Sequence, residues 1–456
     1  MKIIILGAGQ VGSSLVASLS GEKNDIVVVD FQADLLESLQ SRYDISTVVG
    51  NAAHPAVLRR AGAATADMLI AATSDDETNM LACQIADILF KVPRKIGRVR
   101  AIEYMEVPGL FSPENIPIDY VISPELIITQ HIRRLLEHPG ATQVLDFAEG
   151  RVRLASVRAV KDGPMVQHTV RELHEHMPNF HARIAAIFRN GEPIVPKGNT
   201  LILDGDEVFF VASTEEIKDV MNELRQTEKP YKRLIFAGGG HVGKRVAMAL
   251  EDHYQVKVIE SDPKRAKKIA GQLTNTTVLV GKASDKDLLS NENIESTDVF
   301  CALTNNDEAN ILSAMLAKRM GARRVISLVN NNAYADIVGS SQLDLLISPQ
   351  QSTISALLRY IRRGDIVQVY SLRHGASEAI EVIAHGRSGR SKVVGVPLNQ
   401  IKIPEGVVMG ALVRGDDVLQ VHHDTIIEDR DHVIMFLLDK KLIPAVEKLF
   451  HEQDDT

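Results

Sequence analysis

The chain has 456 residues, room for about three domains at roughly 150 residues each. Its formal net charge is −8, which counts against a general nucleic-acid binder needing a basic face to displace counterions. Hydrophobic residues at 45% and charged residues at 24% fit a globular protein and count against wholesale disorder, and with no Trp the cores must come from Ile, Leu, Val and Ala.

The pattern predicts a buried strand at Lys2–Leu6, a helix at Val11–Ser20, a strand at Ile26–Asp30 and a helix at Ala33–Ser41. Next come a strand at Thr47–Val49, a helix at His54–Ala61, a strand at Met68–Ala72, a helix at Thr78–Leu89 and a strand at Val99–Glu103. An amphipathic helix is expected at Glu125–Leu136, ending near Arg133-Arg134. Then the texture changes. Val144–Val160, Arg183–Arg189, Thr200–Leu203 and Val208–Ala212 read as short strand segments, with turns at Asn190-Gly191 and Asp204-Gly205, before a helix at Thr214–Leu224. The charged stretch Arg225–Lys232 reads as a linker.

The same series then restarts. Strands are predicted at Leu234–Ala237, Val256–Glu260, Thr277–Val280, Val299–Leu303 and Val325–Leu328. Helices alternate with them at Val242–Glu251, Pro263–Leu273 and Ala309–Lys318. A helix at Gln350–Arg362 carries the pair Arg362-Arg363, and strand-rich stretches at Val367–His385, Gly406–Arg414, Thr425–Ile427 and His432–Leu438 precede a helix at Lys441–Leu449. Specific residues recur in register. Gly7-Ala8-Gly9-Gln10-Val11-Gly12 returns as Gly238-Gly239-Gly240-His241-Val242-Gly243, and Asp204 and Asp206 fall on Asp429 and Asp431. The chain is thus a duplicated two-domain unit. The expected architecture is α/β: two tandem Rossmann-like, doubly wound parallel-sheet domains, 1–123 and 232–348, each followed by a small α+β domain, 143–227 and 368–453.

Ile3–Gly21 is uncharged and superficially resembles an export signal, but glycines and serines dilute it and a charged copy recurs at Leu234–Leu250. No stretch reads as a membrane span of about 20 apolar residues. Cys83 and Cys301 cannot build a disulfide framework and read as core residues of a protein in a reducing compartment.

Chemistry gathers at the glycines. A GxGxxG that follows a buried strand and opens a helix makes a sharp turn, admits a pyrophosphate to the backbone and lets helix pack on sheet. Asp30 ends the second strand, where a carboxylate accepts ribose hydroxyls; Glu260 ends its counterpart. Ligands of such sheets sit at the carboxyl ends of the strands, which nominates Asn51, Ala52, Thr73 and Ser74, then Lys282, Ala283, Thr304 and Asn305. Arg98 and Arg324 are expected just ahead of a strand, within reach of a phosphate or solvated. The pairs Asp76-Glu77 and Asp307-Glu308 read as acids at helix starts, with a cation-assisting role as the alternative.

The order GAGQVG, VVVD, VVGNA, AATSDDETNM resembles the nucleotide-binding domain that regulates potassium conductance, the RCK or KTN domain, and the strand-rich followers resemble its C-terminal partner domain. Two complete copies without a pore resemble the peripheral subunits of bacterial potassium uptake systems. The resemblance implies binding of NAD or NADH, or of ADP or ATP. It also implies a homo-oligomeric ring, a dimer or tetramer, on the cytoplasmic face of the inner membrane against a membrane-embedded potassium-translocating subunit. By the same resemblance Gly7 to Val11, Asp30, Asn51, Thr73, Ser74 and Arg98 are nucleotide contacts, with Gly238 to Val242, Glu260, Thr304 and Asn305 as their counterparts.

An NAD-dependent oxidoreductase is the alternative, but it needs a catalytic acid or base and no local signature supplies one. His168, His174, His176 and His181 lack the cysteines or spaced acids of a metal site, as does His422-His423-Asp424. A transcription regulator would need a basic helix-turn-helix, which is absent from the pattern. A ligand-gated regulator without turnover is the expectation.

Overall fold

The computed structural model describes residues 1–20, 24–176, 182–225, 228–331, 334, 343–361, 366–372, 377–386, 391–419 and 421–450, apart from the side chain of His174. His181 and the pair Arg362-Arg363 lie outside the described residues. The chain divides into two compact units, Met1–Ile127 with Ser352–Leu357, and Ile128–Gln351 with Leu358–Thr456.

The first unit holds β1 (Lys2–Leu6), α1 (Gln10–Leu19), β2 (Asp25–Asp30), α2 (Ala33–Gln40), β3 (Ser46–Val49) and α3 (Pro55–Arg60). It continues with β4 (Met68–Ala71), α4 (Asp76–Phe90), β5 (Arg94–Arg98), α5 (Ile102–Met105) and β6 (Tyr120–Ile122). The strands run parallel in the order β3-β2-β1-β4-β5-β6. A parallel sheet is covered on both faces, so its central strand can be apolar throughout. Accordingly Ile3, Ile4, Ile5 and Leu6 are all fully buried. Each such side chain stabilises the fold by about 1.5–3 kcal/mol.

The fifth strand departs from expectation. It lies at Arg94–Arg98, not at Val99–Glu103, and the latter segment enters the short helix α5. The cause is Lys95, whose Nζ is buried yet bonds the Val92 carbonyl at 3.0 Å and sits 3.4 Å from Asp87 and 3.5 Å from Asp119. A lysine so compensated passes for a strand core residue that hydropathy cannot detect.

The helix α6 (Pro124–Glu137) begins in the first unit and ends in the second. Then follow β7 (Ala141–Phe147), β8 (Val152–Arg158), α7 (Val170–His176), β9 (Arg183–Arg189), β10 (Glu192–Ile194), β11 (Glu207–Ser213) and α8 (Ile217–Leu224). These strands form an antiparallel sheet, β10-β9-β11-β8-β7. Its β9–β10 turn has Asn190 at φ 52° and Gly191 at φ 89°, as a tight hairpin with right-handed strand twist requires. Thr200–Leu203 is not a strand; Leu201 makes one isolated bridge to Thr169.

The second half repeats the order with β12 (Arg233–Ala237), α9 (His241–Leu250), β13 (Gln255–Glu260), α10 (Pro263–Ala270), β14 (Thr277–Val280) and α11 (Lys286–Asn291). It goes on through β15 (Val299–Ala302), α12 (Asp307–Arg319), β16 (Arg324–Leu328), β17 (Leu345–Ile347) and α13 (Pro349–Ile361). The chain closes with β18 (Ile366–Leu372), β19 (Ser377–Ile383), β20 (Val407–Arg414), β21 (Asp417–Leu419), β22 (His432–Leu437) and α14 (Ile443–Phe450). The sheets are parallel β14-β13-β12-β15-β16-β17 and antiparallel β18-β19-β22-β20-β21. Thr425–Ile427 contributes isolated bridges instead of the expected strand.

Within the second unit the two antiparallel sheets share a core in which the Phe209 and Phe436 rings lie 5.5 Å apart and Phe147 meets Tyr370 edge-on at 5.2 Å. The repeated acids have a structural task. Arg189 grips Asp206 through two nitrogens at 2.9 and 2.8 Å, and Arg414 grips Asp431 at 2.9 and 2.8 Å. Both carboxylates are buried, and each also accepts a turn amide, from Leu203 and Glu428. Among the described residues, no helix is long and apolar enough to cross a membrane.

Candidate functional site

The glycines divide into two kinds. Gly7 leaves β1 at φ 102°, and a Cβ there would lie 2.9 Å from the Ala72 carbonyl oxygen. A Cβ on Gly12 would lie 1.8 Å from the Gly7 carbonyl oxygen. These two are demanded by the protein's own backbone. Gly9 is different: a Cβ there would meet nothing within 4 Å. The second half repeats the division, with Gly238 at φ 110°, Gly243 1.9 Å from the Gly238 oxygen, and open space over Gly240.

The helices behind these loops begin without a side-chain cap. Gly9 caps α1 and Gly240 caps α9, and neither helix has an acid in its first turn. By contrast α4, α10, α11 and α12 are capped by Asp75, Asp262, Asp285 and Asn306. An uncapped start leaves amides and the positive end of the helix dipole to an outside anion.

In the first unit the sequence-predicted residues come together. Gly7, Gly9, Gln10, Val11, Asp30, Asn51, Ala52, Thr73, Ser74 and Arg98 line one cleft of about 370 Å³. Ala8 and Gly12 are buried and do not line it; the Ala8 amide donates to Asp30 Oδ2 at 2.6 Å. Asp30 Oδ1 accepts from the Gln32 amide at 2.9 Å, and each carboxylate oxygen keeps a second acceptor position. Thr73 is fixed by fully buried Asn79, whose Oδ1 accepts from its amide and hydroxyl at 3.0 and 2.7 Å. Arg98, at the end of β5, donates to the Thr73 carbonyl at 3.3 Å, and its Nε is buried with no partner. Burial pushes this guanidinium's pKa down, with the Glu125 carboxylate opposing.

Other cleft residues escaped the sequence reading: Phe31, 71% exposed, Gln32, Leu35, Asp75 and Thr78. Phe31 carried a signal, being a large exposed aromatic directly after the strand-ending acid. Asn79 carried another as part of the repeated TSDDETNM stretch.

The second cradle keeps the backbone and changes the side chains. Glu260 is buried; Oε2 accepts the Gly239 amide at 2.9 Å and lies 3.5 Å from Arg265. Its Oε1 accepts from the Asp262 amide at 2.8 Å and the Ser261 hydroxyl at 3.3 Å. Val242 is half-buried, while His241, Lys282 and Asn305 are exposed. Thr304 is held by Asn310 as Thr73 is by Asn79.

Arg324 is not the counterpart of Arg98. It opens β16 at the opposite end of the strand, buried, and donates to the Ala141 carbonyl and, at 3.1 Å, to the Tyr231 hydroxyl. The true counterpart is Leu328: Asn79 donates to the Arg98 carbonyl at 2.9 Å, and Asn310 to that of Leu328 at 3.0 Å. Arg98 closes β5 whereas Arg324 opens β16, so the two arginines stand at opposite ends of equivalent strands.

The acid pairs are staples. Asp76 accepts the Arg100 and Ala101 amides at 2.8 and 2.9 Å, and Asp307 accepts the Asn330 and Asn331 amides. Glu77 and Glu308 accept the hydroxyls of Tyr104 and Tyr334. His168 contacts Glu172 at 2.5 Å, and His176 is 3.9 Å from Glu223. Burial pushes the Cys83 thiol up to about 12 and raises that of Cys301 as well, so both are core groups.

Comparison with known proteins places this geometry. The sequence matches the TrkA-N domain family over residues 3–124 and again over 234–349, and the TrkA-C domain family over 154–225. The chain is 53% identical over 450 residues to the Trk system potassium uptake protein TrkA of Halomonas elongata, covering 99% of this chain and 98% of that one. The chain belongs to the TrkA family. The TrkA proteins of Vibrio alginolyticus, 53% identical over 99% and 98% of the two chains, and Haemophilus influenzae, 48% identical over the same shares, agree. Among solved structures, the GsuK RCK domain matches with a TM-score of 0.61 at 16% identity, over 98% of this chain and 94% of that one. The GsuK channel bound to NAD matches with a TM-score of 0.63 at 16% identity, over 98% and 79%. At that identity the likeness shows the fold, which is the RCK fold in tandem.

Proposed function

We propose that this TrkA-family chain is the peripheral regulatory subunit of a potassium uptake system. In this reading it senses NAD, NADH or an adenine nucleotide and gates a membrane-embedded potassium-translocating partner from the cytoplasmic face. Family membership supports the potassium half of the reading. One observation carries the nucleotide half: an uncapped helix start, open space over Gly9, the carboxylate of Asp30 and an unpartnered guanidinium nitrogen of Arg98 meet in a single cleft. That donor set fits adenosine diphosphate, the part common to all these ligands.

In the first cradle Gly9, Gln10 and Val11 present the amides, Asp30 takes the ribose, and Asn51, Thr73, Ser74 and Arg98 close the rim. Gly238 to Gly243, Glu260, Thr304 and Asn305 do so in the second. The ligand supplies charge and hydrogen-bonding groups and no reaction. The oxidoreductase reading asks for a free acid or base, whereas the two carboxylates of the cleft lining are engaged, Asp30 by the Ala8 and Gln32 amides and Asp75 as the cap of α4.

The chain works as four parts, 1–123, 143–227, 232–348 and 368–453, assembled with further copies into a ring. Regulation follows from differential affinity: a nucleotide shifts the ring only as far as it prefers one conformation over the other. Calorimetric titration of the full chain with NADH, NAD, ADP and ATP tests the site. Asp30→Ala is expected to weaken binding by about tenfold or more, the scale of charge-assisted hydrogen bonds. Absence of binding by all four nucleotides overturns the reading.

A further inference from the structure

Helices α9 and α10 differ sharply in charge from their counterparts in the first half. α1 carries no charged residue, and α2 carries only the acids Asp34 and Glu37. α9 carries Lys244 and Arg245, and four of the eight residues of α10 are cations, Lys264, Arg265, Lys267 and Lys268. α10 turns Ala266 and Ile269 to the core and leaves all four cations exposed. Lys244 Nζ donates to Gln272, just past the end of α10, at 3.3 Å, which ties the two helices into one face. Met248, one turn beyond Lys244 on the same side of α9, is 45% exposed.

This charge does not serve the helix. Lys267 and Lys268 suit the last turn of α10, where the dipole is negative. Lys264 and Arg265 occupy the first turn, where it is positive, and that turn contains no acid. Lys264 also stands at i,i+3 and i,i+4 to Lys267 and Lys268, and like charges at those spacings destabilise a helix. Nor do the nearby acids neutralise the face. Asp262 is engaged as the cap of α10, and Glu260 faces Arg265 at 3.5 Å. Glu251 holds the Thr274 and Asn275 amides, and Asp252 accepts from the Asn275 side chain at 3.0 Å. Among the described residues, Lys264, Lys267 and Lys268 have no carboxylate partner.

Such a face suits a surface and not a pocket. Lysines on flexible stems meet a diffuse negative field, whereas a discrete phosphate is better held by the rigid fork of an arginine. α9 and α10 contain no aromatic side chain on which bases could stack, and the net charge of the chain is −8, both of which count against a nucleic acid. An exposed methionine beside lysine fits the boundary between headgroups and acyl chains. Resting on the peripheral placement given above, we propose that the α9–α10 face docks on the anionic phospholipid headgroups of the membrane that holds the partner.

Flotation of the full-length chain tests this, with vesicles of equal parts phosphatidylcholine and phosphatidylglycerol against vesicles of phosphatidylcholine alone. The parent is expected to float with the anionic vesicles only, and less so as salt rises. Lys264→Gln, Lys267→Gln and Lys268→Gln together remove the charge while keeping helix propensity. They are expected to lower partitioning by about a hundredfold, roughly fivefold for each lysine. The control removes the same charge elsewhere: Lys161→Gln, Lys197→Gln and Lys402→Gln, exposed lysines of the two small domains, should change partitioning by less than about threefold. Equal losses from the two triple variants, or binding of polyadenylate as tight as that of anionic vesicles, overturn the proposal. Binding to phosphatidylcholine vesicles that hold the potassium-translocating partner, without binding to anionic vesicles that lack it, overturns the proposal and leaves the peripheral reading standing. Binding to neither overturns both.

Discussion

Replacing Gly9 with aspartate isolates the ligand from the fold. The new Cβ meets nothing within 4 Å, and Gly9 has φ −67°, which any residue adopts. Gly9 is also the N-cap of α1, a position aspartate favours, so stability should change by only a few tenths of a kcal/mol. A nucleotide phosphate feels the same substitution strongly. One added negative charge about 4 Å away, at an effective dielectric of about 20, costs about 4 kcal/mol, close to a thousandfold in affinity. Gly12→Ala is the contrast, because its Cβ would lie 1.8 Å from the Gly7 carbonyl oxygen. Thermal melts with NADH titrations separate the two: Gly9→Asp should melt like the parent and lose first-cradle binding, whereas Gly12→Ala should lose about 3 kcal/mol or more of stability. If Gly9→Asp binds as tightly as the parent in a Gly240→Asp background, the account of the cradle is wrong.

Removing the buried carboxylate of Asp206 leaves Arg189 and a turn amide without their acceptor, so Asp206→Ala should destabilise by about 3–5 kcal/mol in denaturant unfolding, and Asp431→Ala similarly. Thr78 hydrogen bonds hold the Asp75 carboxyl below the usual carboxylate range, so its cap on α4 is present above the unfolded pKa and is lost as pH falls through the lower folded value. Hydrogen exchange should show the Thr78 amide losing protection in acid while the Ala309 amide, capped by neutral Asn306, does not. Cys83 and Cys301 should resist thiol reagents in the native protein at mildly alkaline pH and react once it is unfolded, since burial raises both thiols.

Where one physical rule acted alone, the sequence was legible. Apolar Ile3 to Leu6 and β-branched Ile26 to Val29 could only be buried parallel strands, and the glycine spacing named the turn between them. The repeat was legible too, down to Asp206 and Asp431. Compensated charge hid the rest. Lys95 and Arg94 disguised the fifth strand, and that error displaced Arg324 into a site it does not enter. Likewise Asp76 and Asp307 fit a helix start by composition, but the amides they bind are more than 20 residues away and no local pattern reveals them. Leu328 closes a strand the sequence did predict, but with the fifth strand of the first half misplaced its correspondence to Arg98 stayed hidden.

Rubidium flux through the membrane partner, reconstituted with this chain in vesicles, measures the central claim directly. The account predicts that adding nucleotide changes the flux with the parent chain and not with the Gly9→Asp, Gly240→Asp double variant, although that variant still folds and still binds the partner. An equal nucleotide response from both chains would contradict it.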